Sequence, residues 1–87
     1  MFYVYVLKSE KDGRLYISQT SNLKKRLKEH NSGQNKSTKD RYPLKLVYCE
    51  VYLSSKDATI GETRLKKFKN SYTELKKRIK YSIDDRA

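Results

Sequence analysis

The sequence predicts a small α+β domain, a three-stranded antiparallel sheet flanked by helices in the order β-β-α-β-α-α. Three observations carry that expectation. Residues 2–9 and 14–19 are rich in Val, Ile, Leu and Tyr and flank Asp12-Gly13, the turn pair of a β-hairpin. Leu44–Leu53 spaces Val47, Cys49, Val51 and Leu53 two apart, as one face of a strand does. The segments between and after these runs space their leucines and isoleucines at helical intervals behind Ser, Thr or Asn caps.

In the hairpin, a two-residue turn pairs Lys11 with Arg14. Tyr16 then lies opposite Ser9, Ser18 opposite Leu7 and Thr20 opposite Tyr5. Directly opposed residues share a face, so Tyr5, Tyr16 and Ser18 should project to one side of the sheet. Thr20-Ser21-Asn22 then offers caps for a first helix, with Leu23 and Leu27 as its i, i+4 apolar pair. That helix should stop near Asn31-Ser32-Gly33, and the polar stretch 34–43 reads as a loop closed by Pro43. In the third strand, Val47, Cys49, Val51 and Leu53 fall on one face.

Ser54-Ser55-Lys56-Asp57 resembles a capping box and opens a second helix running to about Lys69. Its inward face is Ala58, Gly61, Leu65 and Phe68, with Glu62 inside the same stripe. Ser71-Tyr72-Thr73-Glu74 is a second capping box, opening a third helix whose stripe is Leu75, Ile79 and Ile83. One domain should therefore cover residues 1–83, with 84–87 a frayed tail.

Apolar residues make up only 36% of the chain, so the core must be thin, and eight tyrosines are available to extend it with half-buried rings. Lys and Arg number 21 against 10 acids, a net charge of +11, which points to a polyanion and most simply to nucleic acid. Two basic groups stand out. One is Lys24, Lys25, Lys28, Lys36, Lys39 and Arg41; the other runs from Arg64 through Lys66 and Lys67 to Lys80. A run of charge is more often a solvated helix face than a binding surface. No run approaches the roughly 20 apolar residues of a membrane span, and Met1–Leu7 lacks a basic leader, so a cytoplasmic protein is expected. Cys49 stands alone in an apolar strand, as a structural thiol would.

Three residues could do chemistry on the helices. Arg26 and His30 lie about 60° and about 20° from Leu23 around the first helix, flanking its buried stripe. His30 could be structural, or with Arg26 could form a phosphate-facing couple. Glu62 on an apolar stripe must be compensated. Its partner could be Arg26 or a lysine, or it could hold a hard ion such as Mg²⁺.

Taken in order, these residues resemble a GIY-YIG nuclease of the small stand-alone bacterial kind, over nearly the full length. Tyr3-Val4-Tyr5 matches the first half of the family signature, with Tyr3 in place of its glycine. Tyr16-Ile17-Ser18 matches the second half, with serine in place of the last glycine. Arg26, His30 and Glu62 match the family's catalytic and metal-binding positions, and Lys36-Ser37-Thr38 and Leu46-Val47-Tyr48 resemble the bacterial subgroup.

The resemblance implies hydrolysis of phosphodiesters, in DNA rather than RNA, by a monomer or weak homodimer. Glu62 would hold Mg²⁺ or Mn²⁺, Arg26 would meet the phosphate oxygens, and Tyr5 would orient or deprotonate the attacking water. Tyr16 and His30 would complete the network, and Asn70 is either a looser member or a cap for the third helix. Two departures, Ser18 and Gly61, define a rival: a nucleic-acid-binding module with weak or absent cleavage. A positive φ at position 18 would make serine costly there, whereas an ordinary strand position would accept it. A third reading is an RNA- or ribosome-associated basic protein in which Glu62 makes an ordinary salt bridge.

Overall fold

A computed structural model describes residues 1–36 and 38–84. The elements are β1 (Phe2–Ser9), β2 (Leu15–Thr20), α1 (Leu23–Asn31), β3 (Leu44–Tyr52), α2 (Ser55–Lys67), α3 (Lys69–Arg78) and α4 (Lys80–Asp84). The sheet is antiparallel with strand order β2-β1-β3, so the first strand of the chain is the central one. Val4 through Leu7 are all buried, as a strand covered on both faces requires.

Each face of β1 has its own core. Val4 and Val6 pack with Val47, Ala58, Leu65 and Leu75, joining the sheet to α2 and α3. Tyr5 and Leu7 pack with Leu44, and Leu23 and Leu27 of α1 close over them. The sheet is therefore a middle layer, and any group on α1 and any group on α2 reach it from different sides.

The hairpin differs from its expected register. Tyr5 lies opposite Ser18 and Leu7 opposite Tyr16, a two-residue slide from the pairing around Lys11 and Arg14. The cause is Ser9, which is wholly buried. Its hydroxyl accepts from the Lys11 and Asp12 N–H groups and donates to the Arg41 carbonyl. The ladder thus closes at Ser9 and Arg14, and Gly13, at φ +74°, completes the longer turn. A slide of two preserves strand parity, so Tyr5, Tyr16 and Ser18 still share one face.

In β3 the expected face is split. The ladder shifts between Val6, opposite Tyr48, and Leu7, opposite Leu46, so Val47 is an extra, bulged residue. The bulge reverses the alternation beyond it. Val47 is buried with the α2–α3 core, whereas Val51 and Leu53 are exposed. Tyr48, Glu50 and Tyr52 are opposite Val6, Val4 and Phe2, on the helix-covered face.

There the Glu50 carboxylate accepts hydrogen bonds from both phenols, Tyr48 at 2.7 Å and Tyr52 at 2.6 Å. Gly61 belongs to the same cluster. A Cβ on it would stand 2.6 Å from the Tyr52 hydroxyl, so the glycine lets α2 approach the phenol.

This cluster makes a pH prediction. Tyr48 is pushed up to about 12, mainly by burial and then by Glu50; Tyr52 is pushed up to about 12, mainly by its bond to Glu50. A phenol raised in the fold contributes stability below its unfolded value near 10, and loses it as pH rises through its folded value. Urea midpoints should therefore fall between about pH 10 and about pH 12, and fall less in Glu50→Gln than in wild type. Equal losses in both proteins would remove Glu50 as the cause.

Past α2 the expected helix boundaries shift. Phe68 is 57% exposed rather than inward, because it is the one residue separating α2 from α3. The third helix begins at Lys69 with no side-chain cap, so neither the Ser71–Glu74 box nor Asn70 starts it. It also breaks at Ile79, and a short α4 follows; Leu75, Ile79 and Ile83 still pack against the core as their spacing predicts. The expected frayed tail lies outside the described residues except for Asp84, which ends α4. No helix among the described residues is long and apolar enough to cross a membrane.

Candidate active site

The site starts from the α1-facing side of β1. Tyr5, only 1% exposed, occupies its centre, with Ser18 directly opposite. Leu23 and Leu27 lay α1 over this face, and Asn22 caps the helix by accepting from the Lys25 N–H at 3.1 Å. At the other end, Asn31 grips β3 twice: its amide donates to the Leu44 carbonyl, and its oxygen accepts the Leu44 N–H at 2.6 Å. Those two anchors fix the last turn of α1, and with it His30.

His30 is 4% exposed and meets Tyr5 edge-on, with Nε2 3.0 Å from the phenolic oxygen. Its Nδ1 lies 2.7 Å from the hydroxyl of Thr38, itself buried in the loop after α1. Burial, followed by the nearby Arg26 charge, pushes the His30 imidazole down from its usual range, which favours the neutral ring. Burial also pushes the Tyr5 phenol up. The Ser18 side chain and the charge of Arg26 work against that rise, while Glu62 and Glu29 add to it. Arg26 and Glu62 therefore both act on the same phenol.

Arg26 is half-exposed and stands 3.7 Å from Glu29, one turn further along α1. A pair this exposed contributes about 0–1 kcal/mol, so the guanidinium is free to turn to an anion. Tyr16 is half-buried opposite Leu7 and packs against the Tyr5–Leu7–Leu44 cluster.

Glu62 approaches from the other layer. It meets edge strand β2 at Gln19, whose amide donates to one carboxylate oxygen at 2.8 Å. Its other oxygen pairs with Lys66 at 2.6 Å. A lysine thus compensates this carboxylate, and Arg26 pairs with Glu29 instead. Lys66 is 49% exposed, so a divalent cation could displace it at small cost. Among the described residues no group of three or more acids, His or Cys surrounds Glu62. One carboxylate fits Mg²⁺, which commonly keeps several waters and takes its other ligands from phosphate.

The basic residues divide by position. Lys24, Lys25, Lys36 and Lys39 are exposed around α1 and its following loop. Arg41 is held by Asp12 at 2.9 Å and secures the hairpin turn. Lys66 and Lys67 line an open groove of about 540 Å³ with Tyr16 and Tyr72, along the edge of β2. Arg64 lines a separate hollow with Glu50, Tyr52 and Asp57.

A family model for the GIY-YIG catalytic domain matches residues 1–80. This chain belongs to the GIY-YIG catalytic domain family. It is similar to a UPF0213 protein of Bacillus licheniformis, 43% identical over 81 residues that cover 87% of this chain and 82% of that one. It is also similar to a UPF0213 protein of Clostridium perfringens, 47% identical over 68 residues, 77% of this chain and 72% of the other. The solution structure of a UPF0213 protein from Bacillus halodurans shares the fold, with a TM-score of 0.54 and 32% identity over 86% of this chain and 81% of that one.

Within this GIY-YIG domain, the signature tyrosines lie on one sheet face beneath α1. Ser18 replaces the signature's last glycine at an ordinary ladder position opposite Tyr5, where the strand accepts serine and its side chain works to lower the phenol's pKa. Thr38, Gln19 and Asn31 complete the site. Local pattern marks Thr38 only as part of Lys36-Ser37-Thr38 and Asn31 only as a helix end, and it does not mark Gln19, because each acts across the fold: Thr38 on His30, Gln19 on Glu62, Asn31 on β3.

Proposed function

We propose that this domain is a cytoplasmic, metal-dependent endonuclease that hydrolyses phosphodiester bonds in DNA. The observation that carries the reading is the buried contact between Tyr5 and His30, with the charges of Arg26 and Glu62 acting on the same phenol.

Tyr5 orients the attacking water and takes its proton. A neutral phenol is a poor base near neutral pH, and burial alone makes it poorer. Arg26 and the Ser18 hydroxyl favour the phenolate, which is the form that accepts a proton. The water oxygen then bonds to phosphorus as the bond to the leaving oxygen breaks. Arg26 meets the negative charge that grows on the phosphoryl oxygens. Tyr16 packs beside Tyr5 and lines the groove with Lys66 and Lys67, which gives the nucleic-acid backbone a cationic wall. Glu62 would hold Mg²⁺ or Mn²⁺, which when bound neutralises phosphate charge.

The test is cleavage of single-stranded, duplex and branched DNA with Mg²⁺, Mn²⁺ or EDTA. Wild type should cut only with metal, and Glu62→Ala should be at least about 100-fold slower. A rival reading, a binding module without efficient cleavage, is favoured by the ion pair that occupies Glu62. Binding without cutting on every substrate would establish that rival.

A further inference from the structure

We infer that Thr38 is a positioning residue that sets the tautomer of His30, so that Nε2 carries the proton and donates it to Tyr5. The inference rests on the nuclease reading for its catalytic meaning but on hydrogen-bond accounting for its content. Thr38 is 1% exposed, and among the described residues its hydroxyl has one side-chain partner, His30 Nδ1. A buried hydroxyl carries one proton, and leaving it unmatched is costly. It therefore points at Nδ1, which must be the bare, accepting nitrogen. The other ring nitrogen then holds the imidazole proton, as a neutral ring has only one.

The distances agree. The contact at Thr38 is 2.7 Å and the contact at Tyr5 is 3.0 Å, each within range for the donor assigned to it. Burial favours the neutral ring, so the choice of tautomer is a real one.

The consequence is directional. With Nε2 donating, the Tyr5 oxygen is an acceptor towards His30, and its own proton is directed away from the ring. A phenolate formed there retains a fixed N–H donor. With the opposite tautomer, Tyr5 would donate to His30 and the phenolate would lose that donor. Thr38 can hold this role because its own backbone is fixed. Its N–H bonds the Asn35 carbonyl, and its carbonyl accepts the Arg41 N–H. Arg41 is in turn held by Asp12 and by the Ser9 hydroxyl.

His30 is the one histidine of the chain, so ¹⁵N-labelled protein gives a single imidazole to read. At a pH where the ring is neutral, two-bond ¹H–¹⁵N correlations should show Nε2 protonated and Nδ1 bare in wild type and in Thr38→Ser. In Thr38→Val, which keeps the shape without the hydroxyl, the tautomers should mix. Cleavage by Thr38→Val should fall in kcat by about tenfold with KM unchanged, and Thr38→Ser should recover it.

Wild type with Nδ1 protonated overturns the assignment, as does a Thr38→Val spectrum identical to wild type. If Thr38→Val does not fold, the wild-type and Thr38→Ser spectra still decide. An expected tautomer in a protein that cuts no substrate rejects the nuclease reading and upholds the hydrogen-bond assignment. Cleavage with the opposite tautomer does the reverse.

Discussion

A Tyr5→Phe variant should cleave DNA at least about 100-fold more slowly than wild type, within the range that a positioned acid or base contributes. On the proposed reading its affinity for the same DNA should change little, since Tyr5 is buried and the lysines offered to the backbone are exposed. The substitution keeps the ring that packs against Leu7 and Leu44 and removes only the oxygen facing His30 and Ser18. Leaving His30 Nε2 without its partner costs about 1–3 kcal/mol, which a domain of this size should survive. The decisive comparison is single-turnover cleavage beside DNA binding, each on protein shown folded by its circular dichroism melt. A loss smaller than about tenfold would take Tyr5 out of the chemistry and leave it a packing residue.

Leu7→Ala should be the most damaging of the simple truncations for both stability and the site. Leu7 is wholly buried, and replacing such a leucine by alanine costs about 2–5 kcal/mol. At about 0.05–0.15 kcal/mol per residue the whole domain has about 4–13 kcal/mol, so this one loss removes a large share of it. The α1-side core is also the smaller of the two, built from Tyr5, Leu7 and Leu44 with Tyr16, Leu23 and Leu27 packed against it. Its loss should loosen α1 and therefore His30 and Arg26. Leu75→Ala provides the control, because Leu75 lies in the opposite core. Both variants should lower the urea midpoint, but only Leu7→Ala should shift the His30 imidazole signals in the protein that remains folded. Unshifted signals in Leu7→Ala would mean that α1 holds its place without that core.

Much of this was legible in the sequence. The hairpin, the first helix with its Asn22 cap, the third strand and the stripe of Leu75, Ile79 and Ile83 follow from local pattern, and each is present. The shared face of Tyr5, Tyr16 and Ser18 was also legible, although its register was not. A buried serine closing a longer turn is a tertiary effect: Ser9 is held by Arg41, which is distant in the chain. The bulge at Val47 escaped for a related reason, since one extra residue reverses an alternation without changing composition. The break at Phe68 and the early start of α3 defeated a capping pattern that was present in the sequence but unused.

For the site, the sequence supplied the residue types and their order, while contacts between layers required the fold. Glu62 could be read as an inward carboxylate, but not as the partner of Gln19 and Lys66. His30 could be read as flanking a buried stripe, but not as the middle of a chain from Thr38 to Tyr5.

The position of β1 has a consequence for how the molecule is made. Of the three strands β1 leaves the ribosome before the others, yet it needs neighbours on both edges. Its partner β2 follows within a few residues, whereas β3 ends only at Tyr52 and α2 only at Lys67. A nascent chain therefore carries an apolar ribbon with one edge open until β3 has been made. Open edges of that kind recruit other strands. Fragments ending before residue 44 should associate with one another, and the intact chain should be most prone to aggregate while it is still being translated.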